Sequence, residues 1–149
     1  MNVTGSIDSI LHQKSREIHS VSAGATVYDA VALMAEKNVG ALLVIENDQL
    51  VGILSERDYT RKVMLRGKRS RETTVREIMS TQLTTVDPKQ PVDDCLRFMT
   101  EKRIRHLPVV QEGAICGVIS IGDLVKHVIS VQNATLDHLE RYISGGYTQ

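Results

Sequence analysis

Apolar residues at Val27, Ala30, Val31 and Met34 are spaced to line one face of a helix. The same spacing returns at Val92, Cys95, Leu96 and Met99. After each stripe the period shortens. Residues 41–45 and 50–54 read as strands around the polar turn Asn47-Asp48, and residues 106–110 and 115–119 do the same around Glu112-Gly113. A short apolar segment precedes each helix, at 18–21 and 83–86, followed by the turn residues Ser22-Ala23-Gly24 and Asp87-Pro88-Lys89. Thr26 suits an N-cap, and Pro91 at the matching place suits a helix start. A closing helix begins at Ser55 and again at Ser120, so each unit reads β-α-β-β-α.

Sliding the sequence by 65 positions lays residues 18–64 on 83–129 without a gap. Val21/Val86, Asp29/Asp94, Met34/Met99, Gly52/Gly117, Ser55/Ser120 and Asp58/Asp123 are among the identities. One unit used twice is too few for a solenoid. A unit of about 60 residues also buries little apolar surface alone. The fold class is therefore α/β (α+β), with two repeats expected to bury their sheet faces together as a pseudo-two-fold pair. The expected boundaries are an arm at 1–17, repeats at 18–64 and 81–130, a linker at 65–80 and a helical tail at 131–149. Leu136, Leu139 and Ile143 form a stripe on that tail, and Gly145-Gly146 is expected to end it. The stripe could serve a partner helix, or pack on its own domain.

Composition narrows the function without naming it. The chain has 149 residues, 42% of them hydrophobic, which suits a folded protein. Formal net charge is zero, so no global field calls for nucleic acid or an anionic membrane. A basic stretch runs from Arg57 to Arg71, but there is no Trp and only one Phe for base stacking. It reads as a solvated helix end and linker. Cys95 and Cys116 have no metal-ligand spacing and read as small buried thiols. No signal-peptide pattern and no run of roughly 20 apolar residues is present, so the expectation is a cytoplasmic protein.

The candidate chemistry sits at the end of each second strand. GILSERD, residues 52–58, returns as GVISIGD, residues 117–123, keeping Gly, Ser and Asp in place. Ser-x-x-Asp at a strand-to-helix junction is a capping-box pattern. The same residues also suit a nucleotide. A helix start offers N–H groups to an anion, a Ser hydroxyl can bond phosphate, and a carboxylate can accept from both hydroxyls of a ribose. Gly52 and Gly117 would let the backbone approach a ligand or a neighbouring strand. Capping and binding can coexist.

The repeat, including AEKNVGALLV, TEKRIRHLPVV and the two Gly-x-x-Ser-x-x-Asp ends, resembles a stand-alone bacterial-type pair of CBS domains, the module named after cystathionine β-synthase. The resemblance implies a regulatory, energy-sensing module that binds AMP, ADP, ATP, NAD(H) or S-adenosylmethionine in two clefts between the repeats. It implies that Asp58 and Asp123 hold ribose hydroxyls, with Ser55 and Ser120 beside ribose or phosphate. Adenine would lie on strands of the opposite repeat: Leu83, Thr84, Ile104, His106 and Pro108 for the Asp58 cleft, and Ile18, His19, Val39 and Ala41 for the Asp123 cleft. Arg57, Arg105 and His106 would gather at the Asp58 cleft, because Gly40 and Ala41 hold the matching strand positions in the first repeat. That cleft is then expected to be the tighter phosphate site. The Asp123 cleft would lack those cations, although Lys14 could reach it from the arm.

By the same resemblance the chain is expected to form a homodimer, with Met34, Met99 and Phe98 as candidate contacts, and to signal to a protein partner. No catalytic cofactor, metal, specific nucleic acid or membrane is expected. The sequence contains no GxxxxGK[ST], HExxH or GxSxG motif, so an enzyme is disfavoured. An assembly module with vestigial clefts is the competing function.

Overall fold

The computed structural model describes residues 5–14 and 17–148 and divides the chain into two units, Glu17–Thr85 and Met1–Arg16 with Val86–Gln149. Helix and strand are mixed as the α+β reading requires.

In unit Glu17–Thr85, strand β1 (Ser20–Val21) pairs in parallel with β2 (Ala41–Glu46), and β2 pairs antiparallel with β3 (Gln49–Ser55). Helix α2 (Val27–Lys37) lies between β1 and β2 in the chain. Thr26 caps it, accepting from Asp29 N–H at 3.1 Å. The apolar stripe does what its period predicts, burying Val27, Ala30 and Met34 against Leu42, Val44 and Leu54. Asn38 ends α2 in the left-handed region, which its short polar side chain tolerates. Ser55 leads into α3 (Glu56–Tyr59), which runs on as one π-helical stretch, Thr60–Met64, burying Val63.

The second unit repeats this with α5 (Val92–Lys102), β4 (His106–Gln111) and β5 (Ala114–Ser120). Val92, Cys95 and Met99 join Leu107, Val109, Ile119 and Leu124 in its core. Even the irregularities recur. Both hairpins slip register after the same strand position, at Val44/Ile45 and at Val109/Val110. Both turn on two residues of positive φ, Asn47-Asp48 and Glu112-Gly113, as tight two-residue hairpins demand. One element is reduced. Of the expected strand at 83–86, only Val86 pairs, forming a single parallel bridge to Val109. Pro88 follows two residues later and has no N–H to extend a ladder.

Two segments outside the sliding match prove to be equivalent. Helix α1 (Ile7–Gln13) buries Ile7 and Ile10 in its unit, and α4 (Val75–Ile78) buries Val75 and Ile78 in the other. Ile7 N–H bonds Gln90 C=O and Asp8 N–H bonds Pro88 C=O, while Val75 N–H bonds Ala25 C=O and Arg76 N–H bonds Ala23 C=O. Residues 73–80, read as linker, are thus built into unit Glu17–Thr85. The gapless slide misses the match because the two leading helices are three residues further apart than the repeats they serve.

The tail departs from expectation. Helix α6 (Ile121–Thr148) runs unbroken from the second Ser/Asp frame through Gly145 and Gly146. Glycine weakens a helix by about 1 kcal/mol without forbidding it. The Leu136, Leu139 and Ile143 stripe is exposed and does not pack on its own domain. Met34 and Met99, candidates for a dimer contact, are 2% and 3% exposed and belong to the two cores. Cys95 is buried, which raises its thiol to about 11 with help from Asp94, while Cys116 is only half-buried.

Candidate functional site

Each Ser/Asp frame is a closed capping box. Ser55 N–H donates to Asp58 Oδ2 at 3.0 Å, and Asp58 N–H donates to Ser55 Oγ at 3.1 Å. Ser120 N–H donates to Asp123 Oδ2 at 2.9 Å, and Asp123 N–H donates to Ser120 Oγ at 3.1 Å. The residue just before the first strand of each hairpin adds a tie: Glu56 N–H bonds Gly40 C=O, and Ile121 N–H bonds Arg105 C=O. Two of the first three N–H groups of α3, and two of α6, are therefore engaged within the fold. Fewer N–H groups are thus open to an anion at these helix starts than the sequence alone suggested.

Both aspartates carry a cation. Lys62, one turn along the same helix, reaches Asp58 Oδ1 at 3.0 Å and also donates to Ile78 C=O at 3.0 Å. Ser80 Oγ approaches the same Oδ1 at 3.4 Å. Neither residue was picked out by the repeat, since His127 holds the place of Lys62 in the second copy. Spacing of four from Asp58 was the available signal. Asp58 is 12% exposed and Asp123 24%.

At the second frame the cation comes from the far end of the chain. Lys14 Nζ lies 2.8 Å from Asp123 Oδ2 and 2.8 Å from Val118 C=O. Burial pushes the Asp123 carboxyl up, but the Lys14 hydrogen bond, the Ser120 N–H and the Lys14 charge outweigh it and hold the group below the ordinary carboxylate value. His106 stands opposite Ser120 across the β4–β5 ladder, as Ala41 stands opposite Ser55. Burial holds His106 below the ordinary imidazole value, Asp123 pulls it upward, and Lys14 and Arg105 add to the depression. The expectation that Lys14 could reach the Asp123 frame agrees with this contact, whereas His106 and Arg105, expected at the Asp58 cleft, stand near Asp123 in their own unit. Lys14 is bonded to it, His106 is the first residue of the strand beside it, and Arg105 immediately precedes that strand.

The other candidates lie as follows. Arg57 is exposed on the first turn of α3. Leu83, Thr84 and Ile104 are half-buried and Pro108 is buried. Ile18 is exposed, and His19 is half-buried with its C=O accepting from Leu43 N–H. Val39 and Gly40 are half-buried and Ala41 is buried. Gly52 and Gly117 serve neighbouring chain. A Cβ at Gly52 would stand 2.7 Å from Met79 Sδ and 3.1 Å from Ser80 C=O, and one at Gly117 would stand 3.0 Å from Leu11 Cδ2. Among the described residues, no group of three or more His, Cys, Asp or Glu could hold a metal ion, and no helix is long and apolar enough to cross a membrane.

Two α+β units with duplicated hairpins and duplicated Ser/Asp frames define a tandem repeat of one module. The model of the CBS domain matches residues 9–65 and 75–130, and the chain belongs to the CBS-domain family. It is 44% identical over 127 residues to the mitochondrial CBS domain-containing protein CBSX3 of Arabidopsis thaliana, covering 82% of this chain and 62% of that protein's length. To the CBS domain-containing protein YhcV of Bacillus subtilis it is 32% identical, over 86% of this chain and 91% of the other. A solved CBS-domain protein from Burkholderia ambifaria superposes with a TM-score of 0.84 at 49% identity, covering 86% of this chain and 96% of that one. Proteins built from a CBS pair are generally regulatory.

Proposed function

We propose that this protein is a non-catalytic regulatory module whose two Ser/Asp frames bind adenine nucleotides such as AMP, ADP, ATP or NAD(H). Asp58 and Asp123 accept from ribose hydroxyls, and the neighbouring cations meet phosphate. The observation that carries this reading is the cation on each aspartate. A capping box is complete without one, yet Lys62 is bonded to Asp58 and Lys14 to Asp123. An incoming ribose diol can share or replace that contact, because hydroxyls donate to the same carboxylate. The released ammonium is then placed for the phosphate that follows the ribose. Arg57 is proposed as a second phosphate contact at the Asp58 frame, where a planar guanidinium can bind two oxygens. A nucleotide that favours one conformation over another transmits a signal to a partner protein or to a second copy, and only that difference in affinity does so.

The test is thermal unfolding with AMP, ADP, ATP, NAD⁺, NADH, S-adenosylmethionine and GMP, for the natural protein and for Asp58→Asn and Asp123→Asn. Asparagine keeps an oxygen for the cap but loses the charge. A ligand at about 100 times its Kd stabilises the fold by about 2.7 kcal/mol. The expected result is a shift with adenine ligands that is reduced in one or both variants, measured against each variant's own unliganded transition, which the lost ion pair lowers by about 1 kcal/mol. If no nucleotide in the panel shifts the transition, the frames are caps alone and the protein is an assembly module.

A further inference from the structure

The distal half of α6 has no support from its own unit. Leu124 is buried and Val128 is packed against the core, but from residue 132 to 143 every residue is exposed. A helical segment of this length is marginal in water without packing. Its exposed apolar residues are ordered. Val125, Ile129, Gln132, Leu136, Leu139 and Ile143 advance by alternate steps of four and three, the seam of a two-helix coil. The apolar members are 47% to 57% exposed. Leu124 and Val128, which hold the helix to the core, lie about 100° and about 60° round the axis from the middle of this seam, so the seam lies to one side of the packed face and is left exposed.

We propose that α6 pairs antiparallel with α6 of a second copy of this chain. In that arrangement Val125 faces Ile143, Ile129 faces Leu139 and Gln132 faces Leu136, and the pattern closes on itself about a two-fold axis. The two Gln132 amides occupy adjacent central layers and have each other as partners. The flanks decide the direction. Lys126 and Glu140 each follow the first residue of a four-residue step, so they lie on the same flank. Antiparallel pairing brings that flank against its own counterpart, placing Lys126 of one copy against Glu140 of the other, twice. Parallel pairing would instead set Thr135 against Glu140 and Val128 against Asn133, with no opposite charges. The inference stands apart from the nucleotide reading.

The experiment is sedimentation equilibrium of the full chain over a range of concentration, with Lys126→Glu, Glu140→Lys and the double variant. Each single reversal sets like charges together twice and is expected to raise the dissociation constant roughly tenfold. The double reversal restores it. Within one helix these residues are about 21 Å apart, so rescue reports contact between copies. Orientation is read in a Cys116→Ser background. Ile129→Cys and Leu139→Cys proteins mixed together form a disulfide between the two variants, while neither alone forms one above the background protein. A natural protein that stays monomeric, an assembly indifferent to the single reversals, or disulfides within each pure cysteine variant would overturn the proposal.

Discussion

Lys14 and Asp123 are 109 positions apart in the chain, and the ammonium of one lies 2.8 Å from the carboxylate of the other. The pair ties α1's end to the first turn of α6. It also makes the second Ser/Asp frame depend on a residue outside the repeat that contains it.

Lys14→Met should therefore be felt at Asp123. The carboxyl is held low in the fold, so it contributes stability above the ordinary carboxylate range and loses it as pH falls through its lowered value. Without Lys14, burial remains and the carboxyl rises. Carbon-detected NMR titration should show that rise. Stability at neutral pH should fall by about 1 kcal/mol, a modest figure because both side chains are partly exposed.

His106 gives a second pH signature. Its imidazole is depressed in the fold, so it contributes stability above the ordinary value of 6.5 that fades as pH falls from there toward its lowered one. Thermal unfolding from neutrality to about pH 5 should show a steeper loss for the natural protein than for His106→Gln. Equal slopes would mean that His106 contributes nothing to this pH dependence.

The two frame glycines should differ in cost. At Gly52 a methyl meets Met79 and the Ser80 carbonyl, whose strand is pinned by Ile53 N–H to Ser80 C=O at 3.0 Å and Ser80 N–H to Ile53 C=O at 2.9 Å. At Gly117 it meets only the end of Leu11. Denaturant unfolding should place Gly52→Ala about 1–3 kcal/mol below the natural protein, with Gly117→Ala closer to it.

Glu112 sits at φ 51° where the first repeat has Asn47 at φ 48°. Asparagine tolerates that region better, and Asn-Gly is the favoured pair for this turn. Glu112→Asn should raise stability by about 0.5 kcal/mol, read from the denaturation midpoint.

Helices α2 and α5 and both hairpins are legible in the sequence because period and repetition agree at each position. Thr26, Ser55 and Ser120 could be named as helix starts for the same reason. What escaped notice depends on atoms brought together from afar. The leading helices α1 and α4 are fastened by main-chain bonds that impose no side-chain pattern, and their offset breaks the gapless match. Lys62 meets His127 under the slide by 65, and Ser80 lies outside the matched range 18–64, so the repeat marks neither. The candidate dimer contacts Met34 and Met99 went the other way. Their helical spacing marked a core, which is where they lie, and no exposed face remains on them.

The fastening of the leading helices sets an order on synthesis. Residues 17–85 contain every partner that α4 requires, so that unit can close as soon as it leaves the ribosome. Helix α1 is made before residues 17–85 and must wait for partners that follow them, since Ile7 bonds to Gln90 and its cluster includes Leu124. Until then Ile7 and Ile10 have no core to enter. Ile7 and Ile10 are thus apolar residues in need of shelter until the rest of their unit has been made.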